Sequence, residues 1–280
     1  MDPTAIADRL PILTFHALDD EDRSAIAYSP VGFARALEAL QRLTPRALEL
    51  TEVGARLRSG AGFPARAVVL TFDDGYRSVY EIAFPLLLRY GLRTTVFLTV
   101  GRGGTGADDR LPSMNGRPML SWGEIRAMHR AGVTFGAHTL THPDLRRLPL
   151  RRAQEEIWES KARIEDALGA AVTSFAYPFG AADRQSRRVV AERFECACTD
   201  RLGLVSSRSD PYALERVDAC YLRAASLVEK IFTETFAWYL RARSLPRLIK
   251  RALAHPAARG IRRPGPGGSG RSREEVVHGG

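Results

Sequence analysis

The chain has 280 residues, of which 45% are hydrophobic and 8% aromatic, enough to bury the core of one large α/β domain. No apolar stretch approaches the ~18 residues of a membrane-spanning helix, and three cysteines, Cys196, Cys198 and Cys220, are too few and wrongly spaced for a disulfide framework or a zinc hook. The formal charge of +9 does not mark a nucleic-acid binder: residues from 241 onward hold ten Arg or Lys and two Glu, a net of +8, which leaves +1 for residues 1–240. No specific nucleic-acid partner is therefore expected. The cysteines read as buried thiols. The amino-terminal segment MDPTAIADRLPILTFHALDD carries acidic residues and no unbroken apolar run, so it does not read as a signal peptide. Both features predict a cytoplasmic protein.

Short apolar runs alternate with amphipathic stretches from residue 10 to about residue 240, the pattern of repeated βα units. PILTF (11–15) predicts a strand, and SPVGFARALEALQRL (29–43) a helix capped by Ser29 with Pro30 at its first position. AVVLTF (67–72) is the next strand, followed by VYEIAFPLLLRYG, a helix closed by Gly91, and by the strand TTVFLTV. SWGEIRAMHRAG predicts a helix from Ser121 to Gly132, and VTFGAH a strand. The long amphipathic helix LPLRRAQEEIWESKARIEDALG leads into the strand VTSFAYP, and RRVVAERF, ECACT and LERVDACYL continue the alternation less clearly. GRGGTGAD (101–108) lacks the Lys-Ser/Thr ending of a phosphate loop and reads as a flexible connection.

The carboxyl-terminal segment divides in two. TFAWYLRARSLPRLIKRALAH predicts a basic amphipathic helix within residues 226–257, and the Gly/Pro/Ser/Arg-rich residues 258–280 cannot build a packed core and read as disordered. The helix is either interfacial, meeting an anionic membrane through Phe236, Trp238, Tyr239, Leu240 and Leu245, or an ordinary terminal helix packed on the body.

TFDDG (71–75) puts two carboxylates at a strand end, which could be no more than turn chemistry. GAHTLTHPDL (136–145) has histidines four apart, and Pro143 disfavours helix at His142, so the pair belongs to a strand end and its loop. YPFG (177–180) ends a third strand. In a parallel arrangement all three groups share the carboxyl-terminal rim, where barrels place their sites. Two His and one carboxylate there suit zinc or another first-row divalent metal. Neighbouring side chains of a strand face opposite ways, so both Asp can serve one ion only if the chain bends, and Gly75 permits a bend. One Asp can then ligate while the other acts as base on the ion's water, which is hydrolytic chemistry.

TFDDG, HTLTHP and YPFG, in this order and roughly 65 and 40 residues apart, resemble the polysaccharide deacetylase family, carbohydrate esterases with a NodB-type homology domain. The resemblance covers residues 10 to about 225 and implies an α/β fold, a distorted (β/α) barrel, as one domain over residues 1–225. It implies Asp73 as general base, Asp74, His138 and His142 as metal ligands, and the backbone N–H of Phe179 as oxyanion donor. The implied reaction is removal of an N-acetyl or, less often, O-acetyl group from a sugar or polysaccharide, with a metal-bound water as nucleophile. The chain departs from the family pattern twice. Ala176 stands where many members carry an Arg that orients the base, and Arg216 in LERVDA is the replacement candidate, unless it is a plain surface charge. No late Leu-X-His motif supplies a general acid. His16, after the first strand, resembles the histidine that serves as acid in a subgroup acting on poly-N-acetylglucosamine, though it could merely cap the strand. Alternatives are a cytoplasmic deacetylase or deformylase of a lipid- or nucleotide-linked sugar, and an inactive barrel that binds anionic membrane or nucleic acid through its basic tail.

Overall fold

The computed structural model describes residues 8–21, 24, 26–102 and 109–254. Seven parallel strands form a closed ring: β1 (Ile12–Phe15), β2 (Ala67–Phe72), β3 (Thr95–Leu98), β4 (Thr134–Ala137), β5 (Ser174–Ala176), β6 (Cys196–Leu202) and β7 (Leu214–Asp218). Each strand pairs with its neighbour in chain order, and β7 closes on β1 with Val217 opposite Leu13. The α/β fold is the expected distorted (β/α) barrel. Arg46–Ala47 adds a short strand to the start of β2, and Arg9–Leu10 pairs with Val205–Ser206 outside the ring.

The expected elements appear with ends trimmed by a residue or two. Helix α1 (Pro30–Arg42) begins at Ser29, whose hydroxyl accepts the Gly32 N–H, and α2 spans Leu50–Ser59. The stretch after β2 is less regular than expected, a π-helical turn at Val79–Ala83 leading into α3 (Phe84–Tyr90), which Gly91 closes. In α4 (Trp122–Arg130) Ser121 and Glu124 form a reciprocal cap. Helices α5 (Leu150–Leu168) and α6 (Arg184–Ala191) cover the next strands, and α7 spans Glu234–Ala254.

Strands buried on both faces explain why AVVLTF reads as an unbroken apolar run. Side chains nevertheless sort by alternation. Leu13, Phe15, Val68, Leu70, Phe72, Val96 and Phe175 join the large cluster between strands and helices. Ile12, Val69, Phe97, Ala176, Cys198 and Leu214, each one step out of phase, form a second cluster inside the ring. Higher in the ring Thr14 and Thr71 meet at 3.0 Å. The same period of two carries on to His16, Asp73, His138 and Arg216, so the ring's interior turns from apolar to polar to charged toward one rim.

The chain divides into two compact units, Met1–Ser244 and Leu245–Gly280. Packing into the core of the first continues past residue 225 through Val228, Ile231, Phe236 and Leu240. Of the five residues of the expected membrane-facing set, Phe236 and Leu240 are therefore buried, Tyr239 packs against the core, and only Trp238 and Leu245 are exposed. This corrects the interfacial reading of that helix for residues 236–240. Cys196 and Cys198 are buried as expected, whereas Cys220 is half-buried. Among the described residues no helix is long and apolar enough to cross a membrane. Most of the loop expected over 101–108, and the tail expected over 258–280, lie outside the described residues.

Candidate active site

The structure brings all seven expected residues to the carboxyl-terminal rim of the ring. Asp73 follows β2 and is 2% exposed. Arg216, from β7, donates to both its oxygens at 2.7 Å, while the same guanidinium's Nε donates to the Thr199 carbonyl at 2.9 Å. A planar fork of donors matches a carboxylate in this way. Burial pushes the Asp73 carboxyl up, but the charge and hydrogen bonds of Arg216 outweigh it and hold the group well below the usual carboxylate range. Arg216 is 5% exposed, which excludes the surface-charge reading.

Asp74 points away from Asp73 to a separate pair. Its Oδ1 lies 3.4 Å from His138 Nε2 and 3.5 Å from His142 Nε2. The expected bend at Gly75 (φ 88°) already starts at Asp74, with φ 74°. A Cβ on Gly75 would also come within 2.9 Å of Leu98. Eight non-glycine residues among those described have positive φ, and four of them, Asp74, Thr139, His142 and Phe179, lie at this rim. Such backbone costs about 1–3 kcal/mol per residue and persists only where surrounding contacts over-determine it.

The donor set fits a divalent metal. One ligand atom from each of Asp74, His138 and His142 lies within 4.8 Å of the others. His138 Nδ1 sits 2.7 Å from the Ala176 carbonyl, which can only accept, so Nδ1 holds a proton and Nε2 is the nitrogen that faces Asp74. Burial lowers the His138 pKa, but the Asp74 hydrogen bond and the negative charges nearby raise it above its ordinary value. His142 is pushed down to about 4 by burial and by the neighbouring His138. A neutral His142 imidazole is the form that ligates.

His16 stands across from this group, with Nε2 3.8 Å from Asp73 Oδ2 and Nδ1 3.9 Å from Asp218 Oδ2. Phe179 sits in the left-handed turn of YPFG with its ring 64% exposed and edge-on to His142, centroids 4.6 Å apart. Gly180 is required beside it, because a Cβ there would fall 2.1 Å from the Asp200 backbone nitrogen.

Sequence reasoning missed three residues that support these. Asp218 follows Arg216 by two along β7, so strand alternation alone places it on the same face. Tyr76 is buried and within hydrogen-bonding reach of Asp74, while Asn115 donates to its hydroxyl at 3.3 Å. Burial and the Asp74 charge push the Tyr76 hydroxyl up, keeping it a donor. Glu156 in α5 contacts the loop that carries the histidines.

Residues 60–193 match the family model described as polysaccharide deacetylase. Over that segment, just under half of its length, the chain resembles the polysaccharide deacetylase family. It is 25% identical over 215 residues to the Bacillus subtilis protein YxkH, assigned to the polysaccharide deacetylases, covering 75% of this chain and 71% of that protein. A 78-residue segment is 32% identical to the poly-beta-1,6-N-acetyl-D-glucosamine N-deacetylase of Staphylococcus aureus, 28% of this chain and 25% of that one. Among solved structures, the Streptococcus pyogenes deacetylase PplD in complex with acetate superposes with a TM-score of 0.67 at 25% identity, covering 75% of this chain and 92% of that one. These likenesses support a hydrolase of the deacetylase and carbohydrate esterase kind.

Proposed function

We propose that this protein is a metal-dependent enzyme that removes the acetyl group from the nitrogen of an N-acetylated amino-sugar polymer. The observation that carries the proposal is the division of the two adjacent carboxylates: Asp73 is gripped by Arg216, and Asp74 faces two histidines. Asp74, His138 and His142 would hold the ion, zinc or another first-row divalent metal. When bound, it would supply a Lewis acid and lower the pKa of a water at this rim.

Asp73, kept ionised by Arg216, accepts the proton of the water that adds to the acetyl carbonyl carbon. The Phe179 N–H is the donor for the developing oxyanion. His16 gives a proton to the sugar nitrogen as the carbon–nitrogen bond breaks and acetate leaves. The exposed ring of Phe179 offers an apolar face beside the site for a sugar. Similarity to the Staphylococcus aureus enzyme supports an N-acetylglucosamine polymer as substrate.

The test uses the full chain, stripped of metal by a chelator and reloaded with zinc, on β-1,6-linked N-acetylglucosamine oligomers and on an O-acetylated glycan. Acetate and free amine should appear together, only after reloading, and faster from the N-acetyl substrate. Equal acetate release before and after reloading would sink the metal dependence, and release from the O-acetylated glycan alone would sink the N-acetyl assignment.

A further inference from the structure

The loop between β4 and α5 carries two of the three proposed ligands in an unfavourable backbone shape. Thr139 has φ 71° and His142 φ 56°. A β-branched threonine avoids the left-handed region more than most residues do. The His142 N–H donates to the Thr139 hydroxyl at 3.0 Å, a bond within the loop that cannot by itself fix the loop against the barrel.

Glu156 makes that attachment. From α5, its 2% exposed carboxylate accepts the Leu140 and Thr141 N–H groups at 2.9 Å on Oε2 and the Thr141 hydroxyl at 2.8 Å on Oε1. Arg102, on the loop after β3, donates to Oε1 as well. A buried carboxylate is costly unless its lone pairs are filled and its charge is matched, and here both conditions hold. Two turns further along α5, Arg163 donates to the Gly101 and Arg102 carbonyls at 2.8 Å. The Gly101 N–H in turn donates to the Leu140 carbonyl at 2.7 Å. One helix face thus holds both loops, and the loops hold each other.

We propose that Glu156 is a positioning residue that locks the Thr139–His142 turn and so sets the metal affinity of the site without touching the ion. Arg102 matches its charge, and Arg163 keeps Arg102 in place. The inference rests on the reading of Asp74, His138 and His142 as ligands. Its physical content is separate: without the lock, the strained turn relaxes and His142 is no longer held beside Asp74.

The experiment compares the full chain with Glu156→Gln, which keeps the volume but removes the charge, and with Thr141→Val, which removes one donor. Zinc affinity is measured by calorimetry on chelator-stripped protein, and amide exchange at Leu140 and Thr141 on the metal-free form. Glu156→Gln should bind zinc about 10–100-fold more weakly, as loss of an orienting contact outside the ligand set does elsewhere. The two amides should exchange faster, and turnover should recover when zinc is raised to saturation. Thr141→Val should move affinity in the same direction by less. Unchanged zinc affinity in Glu156→Gln, even with a lowered melting temperature, would overturn the proposal by making Glu156 merely structural. Turnover that stays low at saturating zinc would also overturn it. Asp74→Ala serves as the control: zinc binding equal to that of the unaltered chain would overturn the ligand reading, while amide exchange would still decide whether Glu156 holds the turn.

Discussion

Arg216 on β7 and Asp73 after β2 meet across the barrel in a two-pronged ion pair, 2.7 Å at each prong and sealed from solvent. The guanidinium arrives from a different strand than the family pattern would have it, since Ala176 occupies that position. The pairing has two consequences. It keeps the carboxylate ionised, and it fixes which oxygen faces the site.

Removing the guanidinium leaves a buried charge without a partner, so Arg216→Ala should cost about 3–5 kcal/mol in urea unfolding at neutral pH. The sign with pH follows from the depressed Asp73 pKa: the pair's contribution is full above the carboxyl's ordinary value of 3.8 and is lost as pH falls toward the lower folded value. In Arg216→Ala burial is opposed only by the weaker pull of His138 and His16, and the acidic limb of the rate profile should move to higher pH. Arg216→Lys should recover part of the stability but not the two-pronged geometry. An acidic limb that stays in place in Arg216→Ala would show that Asp73 is not the group whose ionisation limits the rate.

The two neighbouring carboxylates should separate cleanly in a metal assay. Asp74→Ala, His138→Ala and His142→Ala should each lose bound zinc, with affinity falling by more than the ~10–100-fold typical of orienting contacts, and activity falling with it. Asp73→Asn keeps its shape and stands apart from the ligand cluster, so it should keep zinc and lose turnover. Zinc loss in Asp73→Asn with retention in Asp74→Ala would reverse the assignment.

The helix at the carboxyl-terminal end supplies a stability prediction. Val228, Ile231, Phe236 and Leu240 are all buried, and each such side chain is worth about 1.5–3 kcal/mol. Together they rival the roughly 5–15 kcal/mol that holds a domain folded, so a chain ending at residue 225 should lose its cooperative melting transition. A chain ending at residue 244 should melt close to the full chain, because the first compact unit ends there. Equal melting of all three would show that the helix is dispensable to the core. The 244-residue chain is also the proper control for anionic vesicle binding, since Phe236 and Leu240 are not available to lipid.

Much of this site was legible because its motifs follow strand ends that a parallel arrangement gathers at one rim. AVVLTF predicts the strand that carries Asp73 there, and VTFGAH does the same for His138. Arg216 was legible only as a substitute for the missing arginine, because nothing in LERVDA shows that β7 closes the ring beside β1 and so lies one strand away from β2. Glu156 was hidden by its neighbours: in the same EEIWE run Glu155 is half-buried and Glu159 exposed. The signal was its phase, since Ala153, Glu156, Ile157, Ser160 and Ile164 form one buried stripe of α5, and an acid in such a stripe needs partners. The left-handed turns at Asp74, Thr139 and His142 have no sequence signature, because strain at non-glycine residues is imposed by tertiary contacts rather than by local preference.

His16 is the proposed general acid, and the structure adds to the case the carboxylates on either side of it. His129 is on α4, 3.4 Å from the Val133 carbonyl and far in sequence from any strand's rim end, and His138 and His142 face Asp74. His16 alone among the described histidines lies between Asp73, the proposed base, and Asp218, the only other described carboxylate within 4 Å of its ring. A general acid contributes about 10²–10⁴-fold to rate, so His16→Ala should slow turnover of an N-acetyl sugar by that order and leave bound zinc unchanged. The effect should shrink for an aryl acetate, whose phenolate leaves without a proton. Equal slowing of both substrates in His16→Ala, or loss of zinc, would make His16 a structural or ligating residue.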